Sequence, residues 1–136
     1  AQVVERDFTE QGERTFLNFG HTFAHALESL AHFSISHGDA VAWGMSRALA
    51  VGLCLQLTHQ NYADSLTAIL GRYGWCTNPI YPGIKPDNGS FADAIIARMK
   101  KDKKNRSGKI RLILQENILK TLIREVDTSI LREVLR

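Results

Sequence analysis

Between Ala40 and Leu57 the chain is almost continuously apolar, and Ala40, Gly44, Ala48 and Gly52 recur at every fourth position within that run. Residues four apart lie one above another on a helix. A stripe of such small side chains lets another backbone come close, so the segment predicts a helix packed into a core. Ser46, Arg47 and Gln56 interrupt the run. A buried helix therefore explains it better than a membrane span, which needs about 20 predominantly apolar residues. Whatever packs on this stripe fixes the fold.

The neighbouring segments supply the partners. From about Thr15 to Phe33 the pattern is helical, with Phe16, Phe23, Leu27, Leu30 and Ala31 at helical spacings, until FSISHGD breaks it. The second helix is expected from Gly38 or Asp39 to about Thr58, because Asp39 suits the positive helix N-terminus. A third spans roughly Tyr62 to Tyr73 and stops at Gly74. NPIYPGIKPDNGS holds all three prolines and reads as a long loop. Ser90 then caps a fourth helix, FADAIIARMKKDKK, with Asp93 in its first turn. After Gly108, IRLILQE and ILKTLIREV are rich in β-branched residues and partly alternate; with QEN between them they predict a β-hairpin. A last short helix from near Asp127 covers SILREVL, and ERDFTEQGE near the start reads as a loop or short turn. The expected fold class is mainly α: a helical bundle with a small β-hairpin near the C-terminus, as a single domain over residues 1–136.

Composition narrows the function classes. The chain has 136 residues, 44% hydrophobic and 23% charged, enough for one domain with one core. Its net charge of +3 gives little support for a nucleic-acid partner, and the basic residues are not interleaved with aromatics. No membrane partner and no signal peptide are expected. Cys54 and Cys76 form no CxxC pair and read as reduced thiols of a cytoplasmic protein, with Cys54 in the core. The chain opens AQVVERD without an initiator Met, so a piece of a longer protein is expected.

Four of the five histidines, His21, His25, His32 and His37, fall in the apolar segment between Leu17 and Met45. Helical spacing puts His21, His25, Glu28 and His32 in one polar stripe, opposite Phe23, Ala26, Leu27 and Leu30. Such a stripe is either a solvated face or a metal site. Neutral imidazole is a good ligand for zinc, and a catalytic zinc keeps a position open for substrate. The i, i+4 pair His21 and His25 can chelate as in an HExxH helix, but Thr-Phe-Ala between them offers no general base. His37 can swing back over the first helix from the break before the second. Spacing alone does not choose two ligands among four histidines.

RTFLNFGHTFAHALE followed by HGDAVAWGM resembles the signature of the 3-dehydroquinate synthase family, roughly R-x-x-L-N-x-G-H-T-x-G-H-A-x-E and then H-G-E-A-V-A-x-G-M. MKKDKKNRSGKIRLIL is similar to that family's D-K-K-x-x-x-G-x-x-R-x-x-L segment. The resemblance covers nearly the whole chain and corresponds to the C-terminal helical domain of such enzymes. It implies that His21 and His37 bind a divalent metal, zinc or cobalt, with a third ligand, a glutamate, from an N-terminal domain absent from this chain. It implies that His25 is catalytic, near the substrate rather than on the metal. Arg14 and Asn18 would bind substrate, as would a lysine that also serves catalysis, Lys103 with Lys104 as the other candidate. His32 and His59 match no motif position and read as bystanders. Three positions depart from the pattern: Ala24 replaces a glycine, Asp39 a glutamate, and Trp43 a smaller aliphatic residue.

The implied reaction converts 3-deoxy-D-arabino-heptulosonate 7-phosphate to 3-dehydroquinate and phosphate, a step of aromatic amino acid biosynthesis, by NAD-dependent oxidation, phosphate elimination, reduction and cyclisation. A metal on the reacting hydroxyl suits such chemistry. Arg14 offers a planar fork for a carboxylate or phosphate, a lysine a point charge, and Asn18 both a donor and an acceptor. KKDKKNR also reads as a solvated loop after a helix, where cations suit the C-terminus. No GxGxxG loop follows a strand here, so NAD binding would fall mainly to the N-terminal domain, and this chain alone is expected to be inactive. The implied partners are the small-molecule substrate, that N-terminal domain and a second copy in a full-length homodimer. The alternatives are a related sugar phosphate cyclase, a metal-dependent polyol dehydrogenase, or a helical interaction module whose histidines are ordinary surface residues.

Overall fold

Ser36 starts the helix that organises the rest: its Oγ accepts from the Asp39 backbone N–H at 3.0 Å, satisfying one of the donors a helix N-terminus leaves open. The computed structural model describes residues 19–86, 89–101 and 108–136. Among them run α1 (His21–Leu30), α2 (His37–Cys54), α3 (Gln60–Arg72), α4 (Phe91–Lys100), β1 (Lys109–Asn117), β2 (Lys120–Asp127) and α5 (Thr128–Val134). The mainly helical class with a C-terminal hairpin is the one expected.

The element ends follow local chemistry. α3 stops where Gly74 takes φ +82°, while Trp75 N–H reaches back to the Leu70 carbonyl at 3.1 Å and Gly74 N–H to Gly71 at 3.0 Å. That closes the open carbonyls of the last turn. Ser90 caps α4 through the Asp93 N–H. Asp127 caps α5 by accepting from Ser129 N–H at 2.9 Å. α1 is shorter than expected: it ends at Leu30, and the chain turns through His32 and Phe33 at φ 52° and 58°. The hairpin is also reset. Gln115, Glu116 and Asn117 belong to β1 rather than to the turn, which falls at Ile118–Leu119, with a bulge between Gln115 and Asn117. Asn117 Oδ1 accepts from Leu119 N–H at 2.8 Å, an Asx turn that an apolar pair such as Ile118–Leu119 does not advertise.

The core lies where α1, α2, α4 and β1 meet. Phe23, Leu27, Trp43, Leu49, Ile95, Ile96, Ile110 and Leu114 are all fully buried. The stripe on α2 does what its spacing implies at one position in particular. A Cβ at Gly44 would run into the carbonyl of Gly20 and stand 3.0 Å from the Ala24 nitrogen. α1 and α2 therefore touch backbone to backbone. Ala24 is fully buried beside this contact, so the methyl that departs from the family pattern is accommodated inside the core. Gly52 instead makes room for Thr58, whose hydroxyl donates to the Gln115 carbonyl at 2.7 Å and ties the end of α2 to β1.

Two long side chains on α2 hold the distant parts. Trp43 meets Phe23, Tyr81 and Phe91 edge to face, at centroid distances of 6.2, 6.3 and 5.8 Å. Such pairs add about 0.5–1.5 kcal/mol each beyond their buried area. Its indole N–H donates to the Asn78 carbonyl at 2.8 Å, so this residue pins the proline-containing loop. Arg47 is buried and donates to the carbonyls of Val134 at 2.6 Å and Thr77 at 2.7 Å. Burial lowers its pKa to about 10, still high enough to keep the guanidinium charged at neutral pH. Cys54, expected in the core, is exposed: it is the last residue of α2, where the helix ends. Among the described residues no helix is long and apolar enough to cross a membrane.

Candidate functional site

Gly20 sets the site. At φ +81° it leads directly into α1, and a side chain there would collide with the backbone of Gly44 and Met45. His21, the next residue, is thereby held against the start of α2. Its ring centroid lies 5.6 Å from that of His25 and 5.9 Å from that of His37. Three of the four clustered histidines thus share one spot. His32 does not join them: it is exposed and lies beyond the end of α1. His59 is remote in the fold, at the start of α3, with Nε2 3.7 Å from Glu116 Oε2. Arg14, Asn18, Lys103 and Lys104 lie outside the described residues.

The electrostatics favour neutral imidazole at the centre. The pKa of His21 is lowered, first by burial and then by the neighbouring His25 and His37, against a smaller opposing pull from Glu28. A neutral ring offers its lone pair to a divalent cation. This donor set of imidazole nitrogens suits zinc or cobalt. Among the described residues no group of three or more His, Cys, Asp or Glu side chains is arranged to hold a metal ion.

The lowered pKa carries a stability consequence with a definite sign. Between the folded pKa of His21 and its unfolded value near 6.5, the unfolded chain binds more protons, so stability rises with pH. The stability is fully present above pH 6.5 and falls as the pH drops through the folded pKa. Thermal melts of metal-free protein from pH 7.5 to 5 are expected to show a smaller acid-side loss in His21→Gln than in wild type. Equal losses would mean that the ring is as well solvated folded as unfolded.

Two residues near the histidines have roles that the sequence does not announce. Glu28 was placed on a polar stripe, yet it is buried, and its Oε2 accepts from His37 Nδ1 at 3.1 Å. The other is Arg98 on α4. Together with Thr22, His25, Ser29 and Lys101 it lines a hollow of about 200 Å³, and its Nε donates to Ser29 Oγ at 3.2 Å. Spacing on α1 does put Glu28 in the stripe with His21, but it gives no sign of the bond to His37. Arg98 belongs to a cationic run that reads equally well as a helix end, and only the packing of α4 on α1 brings it beside His25.

Comparison with known proteins matches the chain to one family. A family model described as 3-dehydroquinate synthase C-terminal matches residues 1–105. The 3-dehydroquinate synthase of Paracoccus denitrificans is 38% identical over 139 residues, covering 99% of this chain and 37% of the relative. That of Xanthomonas oryzae pv. oryzae is 35% identical over 142 residues, with 99% and 36% covered. The chain therefore spans little more than a third of these relatives' length. Among solved structures, a 2-deoxy-scyllo-inosose synthase complexed with carbaglucose-6-phosphate, NAD+ and Co2+ superposes with a TM-score of 0.72 at 24% identity, over 88% of this chain and 34% of that one. At that identity the likeness shows a shared fold.

Proposed function

The chain belongs to the 3-dehydroquinate synthase C-terminal family, and from that premise we propose that its parent protein converts 3-deoxy-D-arabino-heptulosonate 7-phosphate to 3-dehydroquinate and phosphate. Residues 1–136 are then one helical domain of a longer, cytoplasmic, homodimeric enzyme whose N-terminal domain binds NAD. The share of the relatives' length left unmatched, with 37% of the first covered, has room for such a domain. The observation that supports the reading is that the rings of His25 and His37 lie 5.6 and 5.9 Å from that of His21.

His21 and His37 are the metal ligands from this domain, and a carboxylate of the N-terminal domain is the third. When bound, a zinc or cobalt ion supplies Lewis acidity and NAD supplies hydride acceptance and return. The chain's own residues do the rest. Arg14 grips an anionic group of the substrate through its planar fork, and Asn18 meets the hydroxyls. Lys103, or Lys104 in its place, holds a second anion. His25, exposed beside His21, passes a proton at the departing phosphate oxygen. Arg98 and Lys101 add positive charge to the hollow that His25 lines, which suits a phosphate there.

The test uses the full-length protein, the heptulosonate phosphate and catalytic NAD+. Phosphate release is expected to stop on chelation, with no net NADH, and the isolated domain is expected to be inactive. Absence of release from folded, metal-bound protein would transfer the assignment to a sister sugar phosphate cyclase. Net NADH from a polyol would transfer it to a dehydrogenase.

A further inference from the structure

Among the described residues Glu28 is the one buried carboxylate, and no step above uses it. A buried charge is unfavourable unless paired and hydrogen-bonded, and Glu28 spends its Oε2 on His37 Nδ1 at 3.1 Å. The two partners are unequally fixed. The Glu28 side chain is 11% exposed and that of His37 62%. Glu28 sits in the interior face of α1, whereas His37 is the first residue of α2 and stands in solvent. The packed partner orients the free one.

We infer that Glu28 is a positioning residue for metal binding: it holds His37 as the Nδ1–H tautomer and leaves Nε2 as the ligand atom. A carboxylate only accepts, so the shared proton belongs to the imidazole. An imidazole bonded to a carboxylate through one nitrogen is a better and better-aimed donor through the other. The inference rests on the reading of His37 as a metal ligand. It explains why a polar residue on α1 points inward, toward the start of α2, instead of outward with His25.

The experiment is a Co2+ titration of the full-length protein with Glu28→Ala and Glu28→Gln, read by the cobalt absorption spectrum. It is paired with ¹⁵N NMR of His37 in the metal-free forms. Glu28→Ala is expected to weaken Co2+ binding by about 10–100-fold and to shift the spectrum. Glu28→Gln, whose amide oxygen still accepts, is expected to recover part of the affinity. Metal-free wild type is expected to show His37 as the Nδ1–H tautomer, and Glu28→Ala to lose that preference. Wild-type affinity and an unchanged tautomer in both variants would overturn the inference. If Glu28→Ala melts too low to titrate, Glu28→Gln decides on both readouts. A His37→Ala protein that binds Co2+ as tightly as wild type would instead overturn the ligand reading beneath it.

Discussion

Full-length protein carrying His37→Ala is expected to lose metal affinity by more than about 100-fold, beyond the loss expected for a residue that only supports a ligand. Phosphate release should fall with it. A Lewis acid at the reacting oxygen is worth several kcal/mol, which is about three orders of magnitude or more in rate. His21→Ala should match it. His25→Ala should separate from both, keeping its metal while turnover falls by about 10²–10⁴-fold, the usual contribution of one proton-transfer group. The geometry motivates the split. His21 is the shared neighbour of the other two rings, while only His37 takes a hydrogen bond from its nitrogen to a buried carboxylate. Metal content by elemental analysis and a phosphate assay on the same three proteins check it. His37→Ala also leaves the buried Glu28 carboxylate without its partner, so metal-free protein should melt lower than wild type as well. A His37→Ala protein with full metal content would sink the assignment and favour an interaction module whose histidines are surface residues.

Local structure was largely written in the sequence, and long-range structure was not. Ser90, Asp93, Gly74 and Asp127 mark their helix ends because capping is a matter of neighbouring residues. QEN reads as the turn because it is polar and ends in Asn117, a turn-forming type, whereas the real turn, Ile118–Leu119, is apolar and is secured by Asn117 from inside β1. Cys54 was placed in the core because an apolar run does not reveal which side of its last turn faces out. Glu28 was assigned to a polar stripe because α1 alone has no record of α2, whose first residue takes up the carboxylate. Arg47 reaching Val134 and Trp43 reaching Asn78 are pairings that no spacing encodes. The histidine site sits between these cases. Its residues stand out by type and motif, but periodicity extended the helix through His32, and only the turn at His32 and Phe33 returns His37 to His21.

That return depends on the close approach of α1 and α2, which meet where Gly20 and Gly44 both lack a side chain. Gly44→Ala is expected to destabilise the domain although alanine is the better helix former. Replacing glycine in a helix interior gains up to about 1 kcal/mol. Against this, the new Cβ meets the Gly20 carbonyl and the Ala24 nitrogen, which are backbone atoms in a buried contact and cannot turn aside. Overpacking of this kind costs about 1–3 kcal/mol, and more where nothing can yield. Gly44→Val, with its added branches, should lose about 3 kcal/mol or more, near a 10 °C drop in melting temperature at about 3 °C per kcal/mol. Gly71→Ala is the control: Gly71 also lies in a helix, and a Cβ there meets nothing within 4 Å, so the same substitution should be neutral or stabilising. The effect should also reach the site. If α1 is pushed off α2, His21 moves relative to His37, and Co2+ affinity falls with both ligands intact. Melting curves and cobalt titrations of the three variants together test the chain of cause. A Gly44→Ala protein that melts and binds cobalt like wild type would show that the two helices are free to separate, and the backbone contact would then not be what aligns the histidines.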